Sequence, residues 1–121
     1  MRIKTNTTDK LFSIYVRTRD NWTCQRCSTK YIPPTNGLQC AHNFGRRVHA
    51  TRWHEHNAMA LCTGCHTYLD EHEKKRHALF IEKFGEREFK TVRALHDIPK
   101  GRVDQVAKRL ELREKIAELE K

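Results

Sequence analysis

Helical and strand periods alternate along the chain. Leu11, Ile14, Tyr15 and Thr18 recur at helical spacing, so the pattern predicts a helix over Lys10–Asp20, capped by Asp9 and stopped at Asn21, with Lys10, Arg17 and Arg19 on its other face. The run YIPPTNG at 31–37 combines two prolines with an Asn-Gly pair, a loop leading into a short strand over Leu38–His42. Asn43–Asn57 is polar except for Trp53, which reads as a plug beneath a long loop. Ala58–Leu61 is a second short strand. Thr63 then caps a helix expected to run to Phe84, where Gly85 ends it, and His66, Leu69, Asp70 and Glu73 share one of its faces. A helix from Glu86 to His96 stops before Asp97-Ile98-Pro99. After Gly101 a last helix carries a drifting apolar stripe of Val103, Val106, Leu110, Leu112, Ile116 and Leu119, expected to pack on the domain. The order helix, strand, strand, helix, helix, helix predicts an α+β fold with helical extensions at both ends, divided into a domain at 1–97 and an extension at 98–121.

Composition makes such a core marginal. Only 37% of the 121 residues are hydrophobic, so a staple is expected. Net charge is +9 and uneven: residues 1–60 hold ten basic and three acidic side chains, the rest fourteen and twelve. Clustered positive charge points to a polyanion, nucleic acid rather than a membrane, because no apolar stretch approaches the roughly 20 residues that span a bilayer. The first twenty residues lack the apolar run and cleavage site of a signal peptide, which leads to the expectation of a cytoplasmic protein with reduced thiols.

Five cysteines in that setting are better explained by metal than by disulfides. Cys24-Gln-Arg-Cys27 and Cys62-Thr-Gly-Cys65 are two C-x2-C pairs separated by 34 residues, the pattern of two knuckles closing a tetrahedral zinc site. Four thiolates leave no open coordination position, so this Zn²⁺ is structural. Cys40 is left over and reads as a buried core thiol.

Two of the eight histidines stand where a staple alone gives no reason for them. His42 closes the first strand, and His66 directly follows the last zinc cysteine at the start of a helix. Asn57 lies 15 positions after His42 and 9 before His66. The segment CAHNFGRR…TRWHEHNAMALCTGCH, within residues 24–72, resembles the HNH endonuclease family, the ββα-metal nucleases, in the variant bracketed by two zinc knuckles and found in small bacteriophage and prophage proteins. The resemblance implies a ββα-metal core with His42 as general base, Asn57 pinning the loop and His66 binding a catalytic Mg²⁺ or Mn²⁺. It also implies DNA as the partner, a bacterial or phage-infected cell as the setting and, by analogy only, an association with phage packaging machinery.

That chemistry suits these residue types. Neutral imidazole can deprotonate a water near neutral pH, and a hard divalent ion offsets charge building on a phosphate. Many members of the family carry Asp or His immediately before the base, whereas this chain has Ala41. The second metal ligand is therefore sought elsewhere. Asp70, at i+4 from His66, is the first candidate; Cys40, on the strand face of His42, is the weaker one because thiolate matches Mg²⁺ poorly. Arg46, Arg47 and Arg52 lie on the intervening loop with His49, His54 and His56, and are expected to contact DNA phosphates. One ββα unit carries one site, so the product is a nick unless two events or a homodimer cut both strands. Two other readings share much of the sequence: a non-enzymatic zinc ribbon that binds nucleic acid, and an RNA nuclease or toxin domain using the same site.

Overall fold

The computed structural model describes residues 3–98 and 101–121, and among them are six α-helices and one two-stranded antiparallel sheet. The chain is mixed α/β. Helix α1 (Thr7–Arg19) is followed by strand β1 (Leu38–His42), a short helix α2 (His49–Arg52), a 3-10 turn at Glu55–Asn57 and strand β2 (Ala58–Cys62). Helices α3 (Thr63–Asp70), α4 (Glu73–Phe84), α5 (Glu86–Asp97) and α6 (Gln105–Leu119) complete it. No helix among the described residues is long and apolar enough to cross a membrane.

Helix α1 starts earlier than its apolar spacing suggests, because Asn6, not Asp9, is the cap. The Asn6 side chain accepts the Asp9 N–H at 2.9 Å, and the Asp9 carboxylate accepts the Asn6 N–H at 2.9 Å, a reciprocal capping box. The long helix expected over 63–84 is two helices, broken at Glu71-His72. Glu71 N–H and the His72 ring both bond the Tyr68 carbonyl, and Arg76 reaches the Leu69 carbonyl, so the last turn of α3 is closed by partners from beyond it. The break removes Glu73 from the face shared by His66 and Asp70 and lets α4 bury Phe80. Residues 43–57 are not an open loop, since α2 and the 3-10 turn organise them. The last helix begins at Gln105, where the Asp104 side chain caps Ala107 N–H at 3.2 Å.

In the sheet Leu38 pairs with Cys62 and His42 with Ala58, so each strand ends where chemistry begins: Cys62 at one end, His42 at the other. The outer edge of β2 is closed by side chains and by the first knuckle. Asp20 accepts the Ala60 N–H at 2.8 Å, Gln25 N–H donates to the Ala60 carbonyl at 2.9 Å, and Arg19 donates to the Ala58 carbonyl at 2.8 Å. Two apolar clusters flank this sheet. One gathers Leu38, Met59, Leu61, Leu69, Phe80 and Phe89 beside Cys24 and Cys65. The other gathers Phe12, Tyr15, Val16, Trp53, Ala58 and Leu112. Leu112 places α6 inside that second cluster, so the C-terminal segment packs on α1 as expected, through Val103, Leu112 and Ile116. Val106, Leu110 and Leu119 of the same stripe stay exposed.

Candidate functional site

Both knuckles are built by local backbone bonds. Ser28 N–H returns to the Cys24 carbonyl at 2.9 Å, and Cys24 N–H meets the Thr29 carbonyl at 2.9 Å. Ser28 takes a left-handed conformation, φ 67°, to make that turn. The second knuckle joins β2 to α3, with Cys62 as the helix cap and Cys65 in its first turn. The four sulfurs of Cys24, Cys27, Cys62 and Cys65 lie within 4.8 Å of one another, and Cys27 and Cys62 are 3.8 Å apart. A tetrahedron with Zn–S bonds of about 2.3 Å has edges of about 3.8 Å, so shifts of about 1 Å or less bring the set onto zinc. Arg26 adds a cation, its Nη1 3.5 Å from Cys65 Sγ, beside a group of thiolates that would leave a zinc complex negative.

The four-cysteine cluster, once closed on a metal, would fix α3 against the sheet, and with it His66. Its Nδ1 lies 2.6 Å from Gln39 Oε1, an oxygen that only accepts, so Nδ1 donates to it and Nε2 is the nitrogen left to a ligand. Asp70 Oδ2 stands 3.6 Å from that Nε2 on the next turn. One imidazole and one carboxylate at this separation can share a divalent ion, leaving its other positions to water and phosphate. Asp70, chosen from spacing, is therefore beside His66 in space.

His42 faces the same groove from the end of β1. Its Nε2 is 2.8 Å from the Arg52 carbonyl and must donate to it, so Nδ1 is the bare nitrogen. Burial pulls its pKa down to about 4, which keeps the ring neutral at pH 7. Packing of Phe12, at 5.7 Å between ring centroids, holds the imidazole from behind. The groove between His42 and His66 has a volume of about 790 Å³ and is lined by Gln39, Cys40, Gly45 and Arg46 as well.

Asn57 is fully buried and satisfied three times. Its Oδ1 accepts Phe44 N–H at 2.9 Å, and its Nδ2 donates to the carbonyls of Phe44 at 2.9 Å and Thr51 at 2.8 Å. This one amide ties Phe44 to Thr51, the residue before Arg52, and so steadies the carbonyl that holds His42.

The three loop arginines part company. Arg52 is only 7% exposed and forms a fork with the Asp9 carboxylate, Nε to Oδ1 at 2.9 Å, while Trp53 Nε1 donates to the same Oδ1 at 2.9 Å. The expectation that Arg52 binds phosphate is corrected: its guanidinium is consumed inside the fold. Arg46 lines the groove but also bonds the Ile3 carbonyl at 2.8 Å and Thr5 Oγ1 at 3.2 Å. Arg47 is exposed. Cys40 borders the groove, where burial pushes its thiol up to about 12. The other loop histidines are structural. His49 accepts the Val103 N–H at 3.3 Å, His54 accepts the His56 N–H at 3.1 Å, and His56 sits 3.1 Å from Glu88.

Sequence reasoning took Asp9 only as a helix cap and overlooked Gln39. Asp9 had a signal, since it shares the spacing of Phe12 and Val16 on the inward face of α1, where an acid must have partners. Gln39 had none, because only the register of β1 against the first turn of α3 brings it to His66. Comparisons with family models, curated proteins and solved structures returned no match, so the reading of this site rests on its own geometry.

Proposed function

We propose that this chain is a divalent-metal-dependent endonuclease of the HNH type that hydrolyses phosphodiester bonds in DNA. One observation carries the proposal: the two histidines on the groove are held through opposite ring nitrogens, His42 through Nε2 by the Arg52 carbonyl and His66 through Nδ1 by Gln39 Oε1, with His66 Nε2 beside Asp70. A base and a ligand are different tasks, and each ring is locked by a different partner for its own.

His42 Nδ1 takes a proton from the attacking water as its oxygen bonds to phosphorus and the bond from phosphorus to the leaving oxygen breaks, that oxygen taking its proton from solvent water. The Arg52 carbonyl holds the ring throughout and accepts from Nε2 in both protonation states. A pKa near 4 makes the ring a weak base in the empty groove, and the negative charge of an entering phosphate raises it toward the range where proton transfer is efficient. His66 and Asp70 would hold Mg²⁺ or Mn²⁺, which when bound supplies Lewis-acid stabilisation of the charge developing on the phosphate and the leaving oxygen. Arg46 adds positive charge on the same wall.

A non-enzymatic zinc ribbon would account for the four cysteines and the charge, but it gives no reason for two oppositely locked imidazoles on one groove. The test is nicking of supercoiled plasmid across a panel of divalent metals, with single-stranded DNA and RNA in parallel. Expected are open circles with Mg²⁺ or Mn²⁺ and none without added metal. Cleavage confined to RNA would move the assignment to an RNA nuclease, and no cleavage of any substrate would remove it.

A further inference from the structure

A second groove, of about 670 Å³, adjoins the first and shares Arg46 with it. It runs between the α2 segment and the start of the C-terminal segment, and is lined by Arg46, Arg47, Arg52, Arg102, His49 and Asp97. Its charge is not balanced from within. Asp9 serves both Arg46, at 3.6 Å, and Arg52, and Asp97 lies 3.4 Å from His96. Asp9 thus holds two of the four arginines, and the groove's own carboxylate, Asp97, is turned to His96. Arg47 and Arg102 are exposed, and among the described residues neither joins an ion pair, so two complete guanidinium forks are free.

Arg102 is brought there by a specific tether. His49 Nδ1 accepts the Val103 N–H, which ties the chain after Gly101 to α2 and leaves Arg102 on the same groove as Arg47. Burial, and after it the positive charges of Arg102 and Arg52, hold the His49 pKa below its ordinary value, as the tether requires: a protonated Nδ1 could not accept the bond. An arrangement that gathers like charges costs stability unless an anion is expected.

We propose that Arg47 and Arg102 form a phosphate-binding groove that carries the nucleic-acid backbone away from the catalytic groove, past the shared Arg46. The inference rests on the nuclease reading for the identity of its ligand. Free guanidinium forks match phosphate oxygens in pairs, and phosphates recur along a strand about every 3.4 Å of helix axis, so one backbone can meet both grooves in succession. A single small anion would need only one of the two forks.

The experiment is duplex binding with no divalent metal added, so that no strand is cut. Fluorescence anisotropy of a labelled 20-base-pair DNA is followed across a salt series for the wild type and the double variant Arg47→Ala/Arg102→Ala. A second double variant, Lys74→Ala/Lys90→Ala, removes the same charge from exposed lysines that line neither groove. The arginine variant should bind about tenfold or more weakly near 0.1 M salt, and its slope of log affinity against log salt should fall by about 1 to 2. The lysine variant should match the wild type. An unaltered slope in the arginine variant of a chain that nicks DNA overturns the groove alone. A reduced slope in a chain that never nicks keeps the groove and removes the nuclease. Absence of both binding and nicking removes both.

Discussion

The side chains that matter most at the residue scale are those whose protonation is fixed by one neighbour. His42 is such a group, because the Arg52 carbonyl dictates where its proton sits and burial dictates that there is only one. A histidine lowered from 6.5 to about 4 binds fewer protons folded than unfolded between those values, so stability rises with pH across that window. Its penalty is absent above about pH 6.5 and complete, at about 3 kcal/mol, below about pH 4. An NMR titration of the histidine ring protons should show His42 neutral and protonated on Nε2 down to about pH 5. A midpoint near 6.5 would contradict the buried, locked ring. Residue identities were easier to read than residue environments: His42, Asn57 and His66 stood out by type and place, but Arg52 looked like its neighbours Arg46 and Arg47 until Asp9 was seen to claim it. An acid on a helix face has no charge partner that local sequence can name.

Strand–knuckle–helix is the element that does the positioning. Cys62 ends β2 and begins α3, so one metal site fixes the angle between them and thereby the distance of His66 from Gln39 and the groove. Binding of structural zinc contributes about 10–16 kcal/mol in small peptides, comparable with the whole stability of a typical domain, about 5–15 kcal/mol. Stripping zinc at neutral pH should therefore cause loss of folded structure, followed by far-UV circular dichroism and recovered on adding zinc. An unchanged spectrum and melting temperature after verified zinc removal would refute a structural role. The cysteine pairs and both strands were legible because spacing and short apolar runs between turns are local signals. The break at Glu71-His72 was not, since residues 63–84 carry no proline or internal glycine beyond Gly64, and the interruption comes from Tyr68 and Leu69 carbonyls meeting His72 and Arg76. Tertiary packing of Phe80 overrode helix propensity there.

The whole molecule solves a shortage of apolar residues by dividing its core. One cluster leans on the zinc cysteines, and the other is closed by α6, whose Leu112 is 1% exposed against Phe12 and Val16. A C-terminal segment that looked like an extension is thus part of the fold, and through the His49 to Val103 bond it also furnishes a wall of the basic groove. Arg17 and Arg46 from the basic first half line the groove of His42, and the second groove adjoins it through Arg46. The central claim is that this groove holds a base. It is tested most directly by nicking of supercoiled plasmid in Mg²⁺ or Mn²⁺ by the wild type and by His42→Ala, each checked for zinc content and circular dichroism. General-base catalysis accounts for about 10²–10⁴ in rate, so the variant should lose at least a hundredfold while remaining folded and zinc-loaded. Equal nicking by the two proteins would contradict the assignment.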